Sequence, residues 1–178
     1  MSVGVITYLD RENNPYIVRE AVPDDSSDII SLITEVGLEG EYIANEGEYY
    51  SVEQQRHILT QRPAGQLILV ALVDNRIIGT LEAVQGTFRK NRHVATMGMA
   101  LKKGFRGLNR GQGLIMALEQ WAETQSVVKI AISVFESNDR ALHFYERYGF
   151  VIEAIRPNQF RIAGQMVAEV FMAKYLPD

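Results

Sequence analysis

The sequence predicts a mixed α/β (α+β) fold: one mostly antiparallel sheet of about six or seven strands, with helices on both faces. Three observations predict it. Short apolar runs rich in Val, Ile and Leu cluster in the middle and at the end of the chain. Segments with apolar positions at helical spacing interrupt them, and the turns between neighbouring runs have hairpin chemistry. The resulting order is strand, two helices, three antiparallel strands, helix, strand, helix, two strands, an order that puts helices on either side of a single sheet.

Residues 16–21 read as the first strand. Pro23-Asp24-Asp25 then opens a helix whose Ile29, Ile30, Leu32, Ile33 and Val36 recur every three or four positions, with Gly37 as its expected stop. Residues 37–50 are irregular. Ser51 with Gln54 forms a capping-box pattern that starts a second helix to about residue 61, and Pro63-Ala64-Gly65 closes it. "QLILVALV", the Asp74-Asn75 turn and "RIIGTLEAV" make a hairpin, and residues 93–101 extend it to a meander. A glycine-rich loop leads into a helix over residues 111–124. "KIAISVF" is a buried strand, Asn138 caps a helix reaching Tyr148, Gly149 ends it, and residues 150–155 with 166–174 close the sheet around Ala163-Gly164. Trp121, Met97, Met99 and Met116 read as core residues.

Composition narrows the function. The 178 residues, 47% of them hydrophobic, suit one domain with a real core. With no cysteine, the chain has no disulfide framework and no thiol nucleophile. The start of the chain lacks a basic region followed by an apolar block, and the longest apolar run, residues 67–73, is too short to span a bilayer, so a cytoplasmic location is expected. A formal charge of −4 argues against general nucleic-acid affinity. His57, His93 and His143 stand apart from one another, without the spacing of metal ligands, and Ser133 and Ser137 have no partnered His-Asp pattern.

The most informative stretch is "GFRGLNRGQGLIMAL", residues 104–118. A strand, a glycine loop and a helix in succession aim several backbone N–H groups and the positive end of a helix dipole at one point, which suits a phosphate or diphosphate. Arg106 and Arg110 add charge. The loop is not a Walker loop, since Gly111-Gln112-Gly113-Leu114 stands where Gly-Lys-Ser/Thr is needed. It is not a dinucleotide fingerprint either, because no carboxylate follows at the distance that reads a ribose.

Two motifs in this order resemble the GNAT superfamily of N-acetyltransferases. "RGLNRG" supplies Arg106 and Gly111 in register with the family's R/Q-x-x-G-x-G/A loop, with Asn109 in place of the first glycine of the pair, a residue that tolerates positive φ. "ISVFESNDRALHFYERYGF" is similar to the family's strand, Asn-helix and Tyr-Gly-Phe segment. The resemblance covers residues 16 to about 175. It implies the GNAT acyl-CoA N-acyltransferase fold for a single domain over residues 16–176, with residues 1–15 as an N-terminal extension.

The resemblance further implies transfer of an acetyl group from acetyl-CoA, as cosubstrate and without a metal, to a primary amine attacking directly. The amine would belong to a small molecule (polyamine or amino-acid-like) or to a protein. Main-chain and side-chain groups of Arg106, Gly107, Leu108, Asn109, Arg110, Gly111 and Gln112 would hold the diphosphate. The pantetheine arm would run along Met99, Ala100 and Leu101 beside a bulge that splays the sheet, helped by Asn138. Tyr145 would donate to the departing thiolate. Arg140 and Arg147 read as solvated helix charges, with contact to the cofactor's phosphates as the alternative. Many relatives carry a glutamate at the position of Thr96, so Glu82 on the neighbouring strand is the substitute general base, with His93 or a water relay as alternatives. "EGEYIANEGEYY", residues 39–50, offers carboxylates and aromatic rings that would attract a cationic acceptor. A homodimer through the last strands is plausible on this reading. A non-catalytic acyl-CoA-binding or regulatory domain stands as the alternative from another class.

Overall fold

The computed structural model describes residues 3–47 and 50–177. Its sheet has eight strands in the order β1-β2-β3-β4-β5-β6-β8-β7: β1 (Ile6–Leu9), β2 (Pro15–Glu20), β3 (Gln66–Val73), β4 (Arg76–Gln85), β5 (Val94–Leu101), β6 (Lys129–Phe135), β7 (Val151–Ile162) and β8 (Gln165–Tyr175). Every neighbouring pair is antiparallel except β5 with β6. The mixed, mostly antiparallel architecture matches the expectation, with eight strands in place of six or seven. The additional strand is β1, which lies among residues assigned to the extension and pairs Ile6 with Val18 through Leu9 with Pro15. Four residues with alternating partial exposure give too short a period-two signal to stand out in a sequence.

Helices α1 (Ser26–Leu38) and α2 (Val52–Thr60) cover one face, and α3 (Gly111–Thr124) packs on β2, β3 and β4 from the other. A further helix, α4 (Asp139–Arg147), leans on the α3 side through Phe144, Tyr145 and Tyr148. Strand β3 explains why "QLILVALV" is apolar throughout: Leu67, Leu69 and Ala71 face the α3 core, whereas Ile68, Val70 and Leu72 face the α1–α2 core. A central strand buried on both faces has no polar side to alternate with. Both tight hairpins use positive φ at two successive residues, Asp74 (49°) with Asn75 (59°) and Ala163 (48°) with Gly164 (81°), the geometry that suits the twist of the flanking strands. The Ser51 capping box forms as expected: Gln54 N donates to Ser51 Oγ at 3.2 Å and Ser51 N to Gln54 Oε1 at 2.8 Å.

Several expectations are corrected. Gly37 does not end α1. It is buried inside the helix, which runs to Leu38, and the positive φ comes at Gly40 (71°). A Cβ on Gly37 would fall 2.2 Å from Asn45 Oδ1, so glycine is there to let the returning loop touch the helix. No bulge interrupts β4 and β5, whose register runs unbroken from Gln85 with Ala95 to Gly79 with Leu101; the shift lies one strand over, between β3 and β4 at Ala71/Leu72. Met116 is 40% exposed on the outer face of α3 and is not a core residue, whereas Trp121 and Met97 are buried.

The start of α3 is pinned from below. Gly113 N donates to Tyr16 Oη at 3.0 Å, and the Tyr16 ring stacks on Tyr8 with centroids 5.7 Å apart. Burial pushes the Tyr16 phenol up to about 12, so it stays protonated and keeps a fixed role in this contact. A Cβ at Gly113 would stand 2.7 Å from both Tyr16 Oη and Tyr8 Cδ2. Gly113→Ala is therefore expected to destabilise by about 1–3 kcal/mol despite alanine's better helix propensity. A thermal melt checks it, and a melt at or above wild type would show that the two rings give way.

Candidate functional site

Strands β5 and β6 pair only at Val94 with Lys129, Ala95 with Ile130 and Thr96 with Ala131. Beyond that point they part, and residues 97–101 have no strand partner on this edge among the described residues. A cavity of about 600 Å³ opens in the split. Its walls are Met99, Ala100 and Leu101 on β5, Arg106, Gly107, Asn109, Arg110 and Gly111 at the corner before α3, and Asn138, Ala141, Phe144 and Tyr145 around α4. Val36, Tyr42 and Ile43 enter from the α1 side.

The corner has the geometry of an anion site. Gly107 (φ 81°) and Asn109 (φ 64°) adopt the left-handed conformation, so Asn109 keeps the path expected of a glycine. Its side chain is tied down at both ends: Oδ1 accepts from Tyr148 Oη at 2.7 Å and Nδ2 donates to Gln112 Oε1 at 2.6 Å. The amides of Gly107, Leu108, Asn109, Arg110 and Gly111 donate to no acceptor among the described residues. Such unsatisfied donors at the positive end of a helix are stabilised by a bound anion.

The two loop arginines line the cavity, and each is paired with a carboxylate. Arg106 is clamped by Glu39, with Nη1 to Oε2 at 2.7 Å and Nη2 to Oε1 at 2.5 Å. Its Nε donates to the Leu101 carbonyl at 2.7 Å, and its guanidinium lies 4.5 Å from the centre of the Tyr42 ring. The bidentate contact holds the Glu39 carboxyl below the usual glutamate range. Arg110 is buried against Asp10, with Nε and Nη2 at 3.1 and 2.8 Å from Oδ2. Both positive charges thus face a carboxylate. Leu108 and Gln112 do not line the cavity; the Leu108 carbonyl accepts from Arg11 N at 2.9 Å.

Asn138 caps α4 by accepting from Ala141 N at 3.2 Å and also lines the cavity. Tyr145 is 3% exposed, packed edge-on against Phe144 and Phe150, and its hydroxyl donates to no acceptor among the described residues. Burial raises its pKa well above the usual tyrosine value, so the phenol keeps its proton. A buried phenol at a cavity wall is placed to donate to a developing anion.

The acetyltransferase (GNAT) family model matches residues 33–150, more than half of the chain. The chain belongs to the GNAT family. Solved GNAT structures carry the same fold at low identity. The chain is similar to a GNAT acetyltransferase from Streptococcus pneumoniae at 21% identity and TM-score 0.84, covering 91% of this chain and 99% of that one. It is similar to a ribosomal-protein-alanine N-acetyltransferase from Brucella melitensis at 20% and 0.80, covering 89% and 99%. It also resembles a GNAT phosphinothricin acetyltransferase from Sinorhizobium meliloti, solved in complex with acetyl-CoA, at 20% and 0.80, covering 89% and 87%. No curated protein matches the chain in sequence.

In this GNAT chain Glu82 lines a neighbouring cavity rather than the first, and accepts from Gln66 Nε2 at 2.7 Å. Thr96 lines the same second cavity, while His93 sits at the strand entrance and lines neither. Of the loop over residues 39–50, Glu39 and Tyr42 serve Arg106, Glu41 and Glu46 are exposed, and Glu48 and Tyr49 lie outside the described residues. Sequence reasoning missed Asp10, Arg11 and Gln55. For Gln55 a signal existed: it stands four residues before Leu59 on the buried stripe of α2, where a polar residue needs a reason.

Proposed function

We propose that the protein is an acetyl-CoA-dependent N-acetyltransferase that acetylates a primary amine by direct attack in a ternary complex. The observation that carries this reading is the set of amides of Gly107, Asn109, Arg110 and Gly111, without an acceptor among the described residues, in the same cavity as the buried Tyr145 phenol. When bound, acetyl-CoA supplies an acetyl group activated as a thioester. The corner amides, with Asn109 fixed by Tyr148, hold its phosphates. The unpaired edge over Met99, Ala100 and Leu101 offers main-chain groups to an extended amide chain, as a sheet edge does to an added strand. Tyr145 holds a proton on Oη and gives it to the departing sulfur as the C–S bond breaks and the C–N bond forms. Glu82 takes the proton that the amine loses, from the side of the second cavity.

The test has two parts. Acetyl-CoA should raise the melting temperature, since a ligand selective for the native state stabilises it. Thiol release should then rise on addition of an amine and fall at least tenfold in Glu82→Gln. Thermal protection without amine-dependent thiol release would instead establish a binding domain, and absence of protection would remove both readings.

A further inference from the structure

The second cavity, of about 440 Å³, adjoins the first and shares Ile43, Met99 and Ala100 with it. Ile29 and Ile33 from α1 and Ile68 from β3 make much of its wall. Glu82 is its single ionisable side chain, and no Lys, Arg or His lines it among the described residues. One polar group there is unexplained by the fold. Gln55 is 4% exposed, lines the cavity, and its carboxamide makes no hydrogen bond to any described residue. Its carboxamide keeps access to the chamber and is not sealed in the core, so a ligand with a complementary group can pair with it there.

We infer that the acceptor is an amine with a single positive charge and no anionic group, whose compact apolar body carries a neutral hydrogen-bonding group that pairs with Gln55. This rests on the transferase reading and narrows its substrate. A free amino acid would bring its carboxylate into a chamber whose described lining carries one charge, the negative one of Glu82, and no cation. A polyamine would leave its further ammonium groups against isoleucine side chains, with one carboxylate among the described residues to share. Among the described residues of the acidic loop, Glu39 is committed to Arg106 and Glu41 and Glu46 point to water. A carboxamide both donates and accepts, so it reads an amide or carbonyl next to the amine rather than a second charge.

The test compares leucinamide, leucine, 3-methylbutylamine and spermidine by thiol release from acetyl-CoA, with kcat/KM normalised to the unprotonated amine. Leucinamide should exceed leucine and spermidine by at least tenfold. Gln55→Leu, close in volume, should bring leucinamide down to the level of 3-methylbutylamine while thermal protection by acetyl-CoA is unchanged. Gln55→Glu, a second variant, should raise spermidine relative to leucinamide. Leucine or spermidine matching leucinamide overturns the inference, as does a leucinamide advantage that survives Gln55→Leu; both leave the transferase reading standing. Thiol release by none of the four amines, with acetyl-CoA still protective, overturns this inference, and a wider panel that includes peptide amines then decides the transferase reading.

Discussion

Tyr145→Phe should lower kcat by about 100-fold or more while leaving the melting temperature close to that of the unaltered protein. The separation of the two effects follows from the site. The ring packs against Phe144 and Phe150 at centroid distances of 5.3 Å in both cases, and phenylalanine keeps those contacts. The hydroxyl donates to no described residue, so its removal strands no partner in the core. On the proposed mechanism, what is lost is a donor at the cavity wall when negative charge develops on sulfur. Stopped-flow thiol release under saturating acetyl-CoA measures the effect on the chemical step, and KM for acetyl-CoA should move little. The pH dependence gives a second check. Burial favours the neutral phenol, so Tyr145 stays protonated through the range in which an ordinary tyrosine, with a pKa of about 10, begins to ionise. The wild-type profile should therefore show no alkaline loss from this group below about pH 10. An unchanged kcat in Tyr145→Phe removes the phenol from the mechanism.

The parts of the fold legible in the sequence were those fixed by local chemistry. The Asp74-Asn75 and Ala163-Gly164 turns, the Ser51 box and the Asn138 cap each depend on residues a few positions apart, and each forms. The β5–β6 split was approached through a bulge that the β4–β5 register does not contain. Divergence of two strands is a property of the whole sheet, and no single residue announces it. Long-range pairing was likewise hidden. Arg106 reaches Glu39 across 67 positions and Arg110 reaches Asp10 across 100, and nothing in a spacing pattern marks which carboxylate a given arginine will meet. The corner between β5 and α3 was legible as a glycine loop leading into a helix because its signal, glycines between a strand and a helix, is contiguous. The carboxylate partners of its arginines were not, because the loop motif gives their positions and the fold decides where their guanidinium groups end.

Asp10→Ala should be the most destabilising single substitution in this neighbourhood, costing about 3–5 kcal/mol. Arg110 is 7% exposed, and the Asp10 side chain is fully covered. Removing the carboxylate leaves a buried guanidinium with no counter-charge and takes away the acceptor for the amides of Glu12 and Asn14, each at 2.9 Å. At about 2–4 °C per kcal/mol for a chain of this size, the melt should fall by roughly 10 °C. Surface pairs such as Lys129 with Glu153 belong to a class worth about 0–1 kcal/mol and serve as the control. The pH dependence has a definite sign. Burial works to raise the Asp10 carboxyl, but the amides of Asn14 and Glu12 and the Arg110 guanidinium outweigh it and hold it below the usual aspartate range. A lowered native pKa means that the stabilisation is complete above the unfolded value, about 4, and is lost as pH falls through the lower native one. Asp10→Asn should accordingly be less stable at pH 7 and show a shallower loss below about pH 4. The damage should also reach the site, because the turn that Asp10 organises presents Arg11 N to the Leu108 carbonyl and so braces the amide corner. Protection by acetyl-CoA should weaken in Asp10→Asn, and an apolar pair, Asp10→Leu with Arg110→Met, should recover stability better than either change alone. If the double variant is no more stable than Asp10→Leu, the stranded guanidinium is not the source of the loss.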